Sequence, residues 1–165
     1  MTHAEVEFLR QQLLAKCEGE HALTMHVIDA LPEDKVTWKP DHEKCMTAGE
    51  LAAHSVTGAS FFVCQVTGKH PTDAPPPPPT TKADVVSRVT QAADAYMTAL
   101  SEMPIEELAA DLDFGGASYT AIDVMSWHPW HMVHHRGQLQ LYLRLMGAVV
   151  PATYGPSGDT PHPDS

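Results

Sequence analysis

The sequence predicts an all-α protein, a bundle of four long helices joined by one proline-rich connection. Apolar residues recur at intervals of three and four positions in four stretches, each about 20 to 29 residues long. A capping residue, a glycine or a proline bounds each stretch. No stretch alternates between apolar and polar residues with the two-residue period of a strand. Four such helices with one long connection are typical of a four-helix bundle.

The first predicted helix covers residues 2–30. Thr2 is a suitable N-cap residue, and apolar residues from Val6 to Ile28 keep the helical spacing. Leu31-Pro32 ends the helix, because a residue before proline avoids the α conformation. Residues 32–46 are predicted to be a loop.

A capping box predicts the start of the second helix. In Thr47-Ala48-Gly49-Glu50 the threonine oxygen accepts an N–H of the first turn, and the glutamate side chain reaches back. The helix should run to Thr67 and end at Gly68. One stripe of this helix is expected to face inward, and it contains Leu51, His54, Gly58, Phe61 and Gln65.

Five consecutive prolines, Pro75–Pro79, follow the second helix. Proline fixes φ and lacks an N–H, so this run predicts a stiff polyproline spacer. We interpret it as a crossover connection, and recognition by a polyproline-binding partner is the alternative. The third helix is predicted over residues 81–103, before Pro104. Residues 105–117 are predicted to be irregular, with a turn at Gly115-Gly116.

The fourth helix is predicted to begin at residue 118 or 120 and to end at residue 146, with Gly147 as its terminator. Pro129 lies inside this stretch. A proline within a helix removes one backbone hydrogen bond and clashes with the carbonyl four residues earlier. We therefore expect a kink at Pro129.

Length and composition restrict the functional classes. A chain of 165 residues has the length of a single domain. We assign residues 1–150 to the bundle and 151–165 to an irregular C-terminal tail. The 21 acidic and 10 basic residues give a net charge of −11, which argues against a nucleic-acid partner. Three widely spaced cysteines, and the lack of a signal-peptide pattern, favour the cytoplasm. No apolar run approaches the ~18 residues of a membrane span.

Histidine is the unusual component, with 11 residues. His131 and His135 are four residues apart, so their imidazoles project side by side from one helix, as two ligands of one metal must. A third ligand has to come from another helix, and His54 is centred on the inner stripe of the second helix. The same window of the fourth helix also contains His128 and His134.

Three histidines would leave one coordination position open for water or substrate, as in a catalytic zinc site. Neutral imidazole also suits nickel, copper and iron, so the spacing does not choose the metal. The alternative is a histidine-rich patch without a function, in which the inward histidines are satisfied by hydrogen bonds.

Other polar residues are candidates for the surroundings of this site. His128, one turn before His131, can neighbour the ligands or act as a base in the pocket. Gln138 points inward and can orient a ligand histidine through its second nitrogen. Glu50 lies one turn before His54 but is engaged in the capping box, which weakens its case as a fourth ligand or proton carrier.

Three further residues are expected to point away from the metal. Arg136 falls about 140° around the helix from His131, which favours an ion pair with a neighbouring helix over an anion clamp. His134 is expected at an interface or in solvent. Cys64 falls about 280° around the second helix from His54, so it is not a candidate nucleophile.

Two motifs resemble the DinB/YfiT-like superfamily. The run His131-x-x-x-His135-Arg136-Gly137-Gln138-Leu139, followed by Tyr142-Leu143-Arg144 and Gly147, is similar to its C-terminal motif. The segment Gly49-Glu50-Leu51-Ala52-Ala53-His54 is similar to its helix-two motif. The resemblance implies an up-down-down-up four-helix bundle and a homodimer. It also implies a divalent metal, zinc or nickel first and iron or manganese next, on His54, His131 and His135.

The resemblance implies a range of functions. Members include transferases and isomerases that depend on low-molecular-weight thiols such as bacillithiol or mycothiol, and others are described as metal-dependent hydrolases. We therefore expect a divalent-metal-dependent enzyme that acts on a small molecule, with a thiol as a candidate substrate. The alternative is a stress-response protein that binds a metal or small ligand without catalysis.

Overall fold

The computed structural model describes residues 1–70 and 74–161, and its regular structure is mostly helical. A 3-10 turn lies at Glu33–Lys35. The strands are β1 (Asp111–Phe114) and β2 (Ala117–Thr120). The helices are α1 (His3–Asp29), α2 (Ala48–Thr57), α3 (Ala59–Thr67), α4 (Lys82–Glu102), α5 (Ile105–Ala109), α6 (Ala121–Met125) and α7 (Trp127–Leu145).

The long helices start where their capping residues predict. The hydroxyl of Thr2 accepts the N–H of Glu5, and the Glu5 side chain accepts the N–H of Thr2, so α1 begins with a complete capping box. Thr47 and Glu50 form the same box at the start of α2. Thr81 caps α4. The predicted bounds of the first and third helices are confirmed to within one or two residues.

The second predicted helix is wrong in one respect, because the chain forms two helices instead of one. The interruption lies at Gly58, between α2 and α3. The ring of His131 packs directly against Gly58, so this position is shaped by a tertiary contact that helical periodicity does not report. The predicted end is confirmed: Gly68 has a φ of 66°, in the left-handed region that ends helices.

The expectation of an irregular segment over residues 105–117, and of no strands, is also wrong. Helix α5 is followed by an antiparallel hairpin whose register runs from Asp111 opposite Thr120 to Phe114 opposite Ala117. The predicted turn at Gly115-Gly116 is the hairpin turn, and both glycines have positive φ, as a type I′ turn requires. Strands of four residues are too short for their alternation to stand out in the sequence.

The fourth predicted helix is broken three residues before Pro129, where a kink was predicted. The helix is interrupted at Ser126, and Pro129 lies in the first turn of α7, where a missing N–H is tolerated. Pro129 cannot donate to the carbonyl of Met125, four residues earlier. That carbonyl instead accepts the hydroxyl of Tyr96 from α4, at 2.7 Å.

The helices enclose two apolar clusters. Helix α2 packs against α4 and α7, and α1 packs against the same two helices. One cluster, with Leu31, Val56 and Leu143, fills the end where α2 meets α7. The other, with Leu13, Phe62 and Leu100, fills the end near α3, α5 and α6.

The segment that follows α7 is held against that helix by an aspartate. Residues 151–161 have neither helix nor strand. Asp159 connects them to the end of α7: both oxygens of its carboxylate lie 2.6 Å from Nη1 of Arg144, and one of them also accepts the N–H of Val150.

Across residues 1–70 and 74–161, no helix has the length and apolar character needed to cross a membrane.

Candidate metal centre

Helices α2 and α7 bring three histidines together. His54 projects from α2, and His131 and His135 project from successive turns of α7. One ring nitrogen of each lies within 4.8 Å of those of the other two, and all three side chains are half-buried. The ring centroids are 4.4 to 4.9 Å apart. This group can hold a metal ion.

The backbone at the end of α2 orients His131. Its Nδ1 lies 3.4 Å from the carbonyl oxygen of Ser55, so the Nδ1–H donates in that direction and Nε2 is the nitrogen left to bind a metal. The ring occupies the space in front of Gly58: a Cβ at that position would lie 2.7 Å from Nε2. Glycine at position 58 is therefore a condition for this placement of the imidazole.

A side chain orients His135 in the same way. The Nδ1–H of His135 donates to Oε1 of Gln138 at 2.8 Å. The Nε2 of Gln138 in turn lies 3.2 Å from Nε2 of His134, which fixes the orientation of the amide. The structure thus places Gln138 beside the candidate ligand His135, and it places His134 beside Gln138.

The surroundings keep all three imidazoles neutral near pH 7. Burial, with the neighbouring His135 and His54, lowers the pKa of His131 to about 4. Burial also lowers the pKa of His54 and of His135. A neutral imidazole keeps the lone pair that a metal requires, so the protonation state suits metal binding without further change.

Three neutral nitrogen donors, two of them oriented through Nδ1, fit a borderline divalent ion such as zinc or nickel. Within residues 1–70 and 74–161, the cluster of candidate ligands contains no fourth side chain. Such a set fixes an ion from one side and leaves positions for exchangeable ligands.

Glu50 remains part of the helix cap. Its Oε2 accepts the N–H of Thr47 at 2.8 Å, and the hydrogen bonds from Thr47 hold the pKa of Glu50 below its usual range. Glu50 also lines a cavity of about 720 Å³, and His54 lines the same cavity. Glu50 does not belong to the cluster of three histidines.

His128 is directed into the interior beside α1. Its Nε2 lies 3.2 Å from Nε2 of His21, and its ring is 4.3 Å from that of Tyr96. Phe62 lies near both His128 and the centre, with its ring 6.3 Å from that of His128 and 5.9 Å from that of His131. His128 is fully buried, and burial lowers its pKa to about 3.

The sequence profile of the DinB family matches residues 1–163. The chain belongs to the DinB family. A DinB-like protein from Bacillus cereus has the same fold, with a TM-score of 0.73, 24% identity, and coverage of 87% of this chain and 97% of that one. The DinB-like protein YjoA from Bacillus subtilis gives a TM-score of 0.65 at 20% identity, covering 86% and 97%. The uncharacterized protein YrdA of Bacillus subtilis is 24% identical over 147 residues, 87% of each chain.

The arginine of the motif has a structural position in this DinB-family protein. Arg136 is buried, donates from Nη2 to Glu20 at 2.7 Å, and donates from Nη1 to Thr24 and to the carbonyl of Glu20. The expected ion pair with a neighbouring helix is confirmed, and the partner helix is α1. Tyr154 donates to the same carboxylate at 2.5 Å, and Nζ of Lys16 lies 2.6 Å from its other oxygen.

Sequence reasoning missed three contributors around the site. The Ser55 carbonyl carries no signal in its residue type, because any residue could supply it. Gly58 carried a signal, since it shares the inner stripe of the second helix with His54, and a glycine there indicates close approach. His21 lies on a stretch of α1 whose spacing only predicts burial.

Proposed function

We propose that this DinB-family protein binds one divalent metal ion through His54, His131 and His135, with zinc or nickel as the preferred ion and iron or manganese as weaker candidates. The observation that carries the proposal is the convergence of three neutral imidazole nitrogens within 4.8 Å of one another. When bound, the ion would supply Lewis acidity, which lowers the pKa of a coordinated water or thiol.

The protein's own residues have defined tasks in this proposal. Ser55 and Gln138 hold the rings of His131 and His135 so that their Nε2 atoms face the ion. Gly58 makes the room for His131. A ligand would approach His54 from the cavity that this residue lines.

We further propose that the protein is a metal-dependent enzyme, either a thiol-dependent transferase or isomerase or a hydrolase. The absence of a fourth ligand from the histidine cluster, within the part of the chain that the structure describes, supports catalysis, since a structural site is normally closed by protein ligands. The alternative is a stress-response protein that binds a metal or a small ligand without catalysis.

The two classes are separated by an assay on metal-loaded protein. Purified protein is reconstituted with zinc or nickel and offered a low-molecular-weight thiol with an electrophile, and separately an activated ester. Turnover that disappears on chelation and in His131→Ala supports the enzyme. Metal binding without turnover of either kind supports the non-catalytic alternative.

Three further properties belong to the same proposal. We propose a four-helix bundle in up-down-down-up order, and the contacts of α1 and of α2 with both α4 and α7 support it. We also propose a homodimer and a cytoplasmic location, in keeping with the family resemblance and three free cysteines. Light scattering at micromolar concentration tests the dimer, and a monomeric mass would contradict it.

A further inference from the structure

We propose that the cavity between His54 and the polyproline segment binds the apolar chain of a small molecule whose head group reaches the metal centre. The ligand class is a thiol, or a similar single-donor molecule, with an apolar chain, as opposed to a thiol that carries several carboxylates. This inference rests on the metal site proposed above and specifies the molecule that the site accepts.

The cavity has the size and the walls of a small-molecule site. Its volume is about 720 Å³, within the usual range of ~300–1,000 Å³ for ligand pockets. One wall is formed by residues of α2 and the start of α3, among them Ala53, His54 and Thr57. The facing wall consists of Ala74 and four prolines of the run 75–79. Most of the lining is therefore apolar.

The proline wall is fixed to the body of the protein. Nη1 of Arg88, on α4, donates to the carbonyl of Pro77 at 2.8 Å. Pro79 is buried, and its carbonyl oxygen would be 3.3 Å from a Cβ at Gly49, so the chain passes close to the start of α2. Prolines have a fixed φ and offer no N–H groups, so this wall is stiff and presents apolar rings to a ligand. In this proposal the run of prolines forms one wall of a ligand-binding cavity in its own chain.

The charges around the cavity disfavour an anionic chain. Arg88 is its one cationic lining residue among those described, and Asp84 neutralises it through two hydrogen bonds of 2.8 and 2.6 Å. Glu50 adds a negative charge to the lining. A carboxylate on the ligand's chain would lose its hydration here without gaining a free cation, which is costly. At the other end, three neutral imidazoles leave the charge of a divalent ion uncompensated, which favours an anionic head group.

The test compares chain length and charge in simple thiols. Full-length protein, with and without zinc, is titrated with ethanethiol, butanethiol, hexanethiol and mercaptosuccinate, and binding is followed by NMR of the backbone amides. We expect affinity to rise about threefold to fourfold per methylene group in both states, with shifts at Ala53, Thr57 and Ser60. Mercaptosuccinate, with two carboxylates, should bind more weakly than butanethiol. Equal affinity across the straight-chain series, or tighter binding of mercaptosuccinate, would overturn the inference.

A pair of variants locates the binding. Met46 lines the cavity and is 40% exposed, so Met46→Glu adds a charge to the wall without disturbing the core. Val149→Glu places the same charge at a residue that is 61% exposed and does not line this cavity. We expect Met46→Glu to weaken hexanethiol binding at least fivefold and Val149→Glu to leave it unchanged. Equal effects of the two variants would contradict the assignment.

Failure of this inference can be told apart from failure of the metal proposal. A chain-length dependence in protein that binds no zinc supports the cavity and refutes the metal site. Zinc binding without any chain-length dependence supports the metal site and refutes the cavity.

Discussion

Gly58 and His131 meet at the contact between α2 and α7, and the imidazole occupies the space where a side chain at position 58 would lie. A Cβ there would be 2.7 Å from Nε2 and 3.0 Å from Nδ1 of His131. Phe62 also packs edge-on against this ring, with the two ring centroids 5.9 Å apart. The glycine therefore sets the position of a candidate metal ligand.

Gly58→Ala should lower zinc affinity about 10- to 100-fold, as expected when residues that orient a ligand are disturbed. The added methyl group must displace the ring of His131 from its position beside His54 and His135. Affinity is measured by competition with a chromogenic chelator, together with thermal unfolding of the metal-free protein.

Gly137→Ala is the matched control for that variant. Gly137 lies on α7 beside His135, and no atom lies within 4 Å of the position of its Cβ. Alanine is the better helix former by about 1 kcal/mol, so this variant should be slightly more stable and should bind zinc normally. Equal zinc affinity in both variants would show that Gly58 does not position His131.

Replacing any of His54, His131 or His135 by alanine should abolish zinc binding at micromolar concentration, because two nitrogens cannot hold the ion as three do. His70→Ala changes an exposed histidine outside the cluster and should have no effect. Isothermal titration calorimetry on all four variants gives the comparison. Similar losses in all four would indicate general instability instead of a defined centre.

Arg136→Met should destabilise the fold by about 1.5–3 kcal/mol, since Glu20 loses its guanidinium partner but keeps the ammonium of Lys16 at 2.6 Å and the hydroxyl of Tyr154. Arg144→Met, on the same helix, removes an exposed pair with Asp159 and should cost about 0–1 kcal/mol. Urea unfolding measures both, and zinc affinity should survive in both. A small loss in Arg136→Met would mean that the buried pair contributes little.

The metal-free protein should lose stability as the pH falls below 6.5. Burial, then His21 and His131, lower the pKa of His128 from 6.5 to about 3. The unfolded chain therefore takes up a proton between these values while the folded chain does not, which costs about 2 kcal/mol at pH 5. Urea unfolding at pH 7 and pH 5 should show a smaller loss in His128→Leu than in the natural protein. An unchanged pH dependence would contradict this origin.

Much of the fold was predictable because its helix ends are local chemistry. Thr2, Thr47 and Thr81 cap their helices through side chains within four residues, so a short window of sequence contains the whole interaction. The interruptions at Gly58 and Ser126 were not predictable in this way. Beside them lie contacts with His131 and Tyr96, residues that are 73 and 30 positions away in the sequence and become neighbours only in the folded chain.

The candidate site was also predictable only in those parts that depend on local spacing. Helical spacing predicts that His131 and His135 project together, and the inner stripe of α2 selects His54. What spacing cannot report is the direction of each ring. The Ser55 carbonyl orients one ring, and the Gln138 side chain orients the other. His128 has the same helical phase as the pair within about 60°, yet its Nε2 lies 3.2 Å from that of His21 and its ring lies beside that of Phe62.

Elemental analysis of purified protein tests the central claim most directly. After reconstitution with zinc or nickel and removal of free metal, the account predicts about one ion per chain, lost in His54→Ala. Absence of bound metal after reconstitution with either ion, in protein that remains folded, would contradict it.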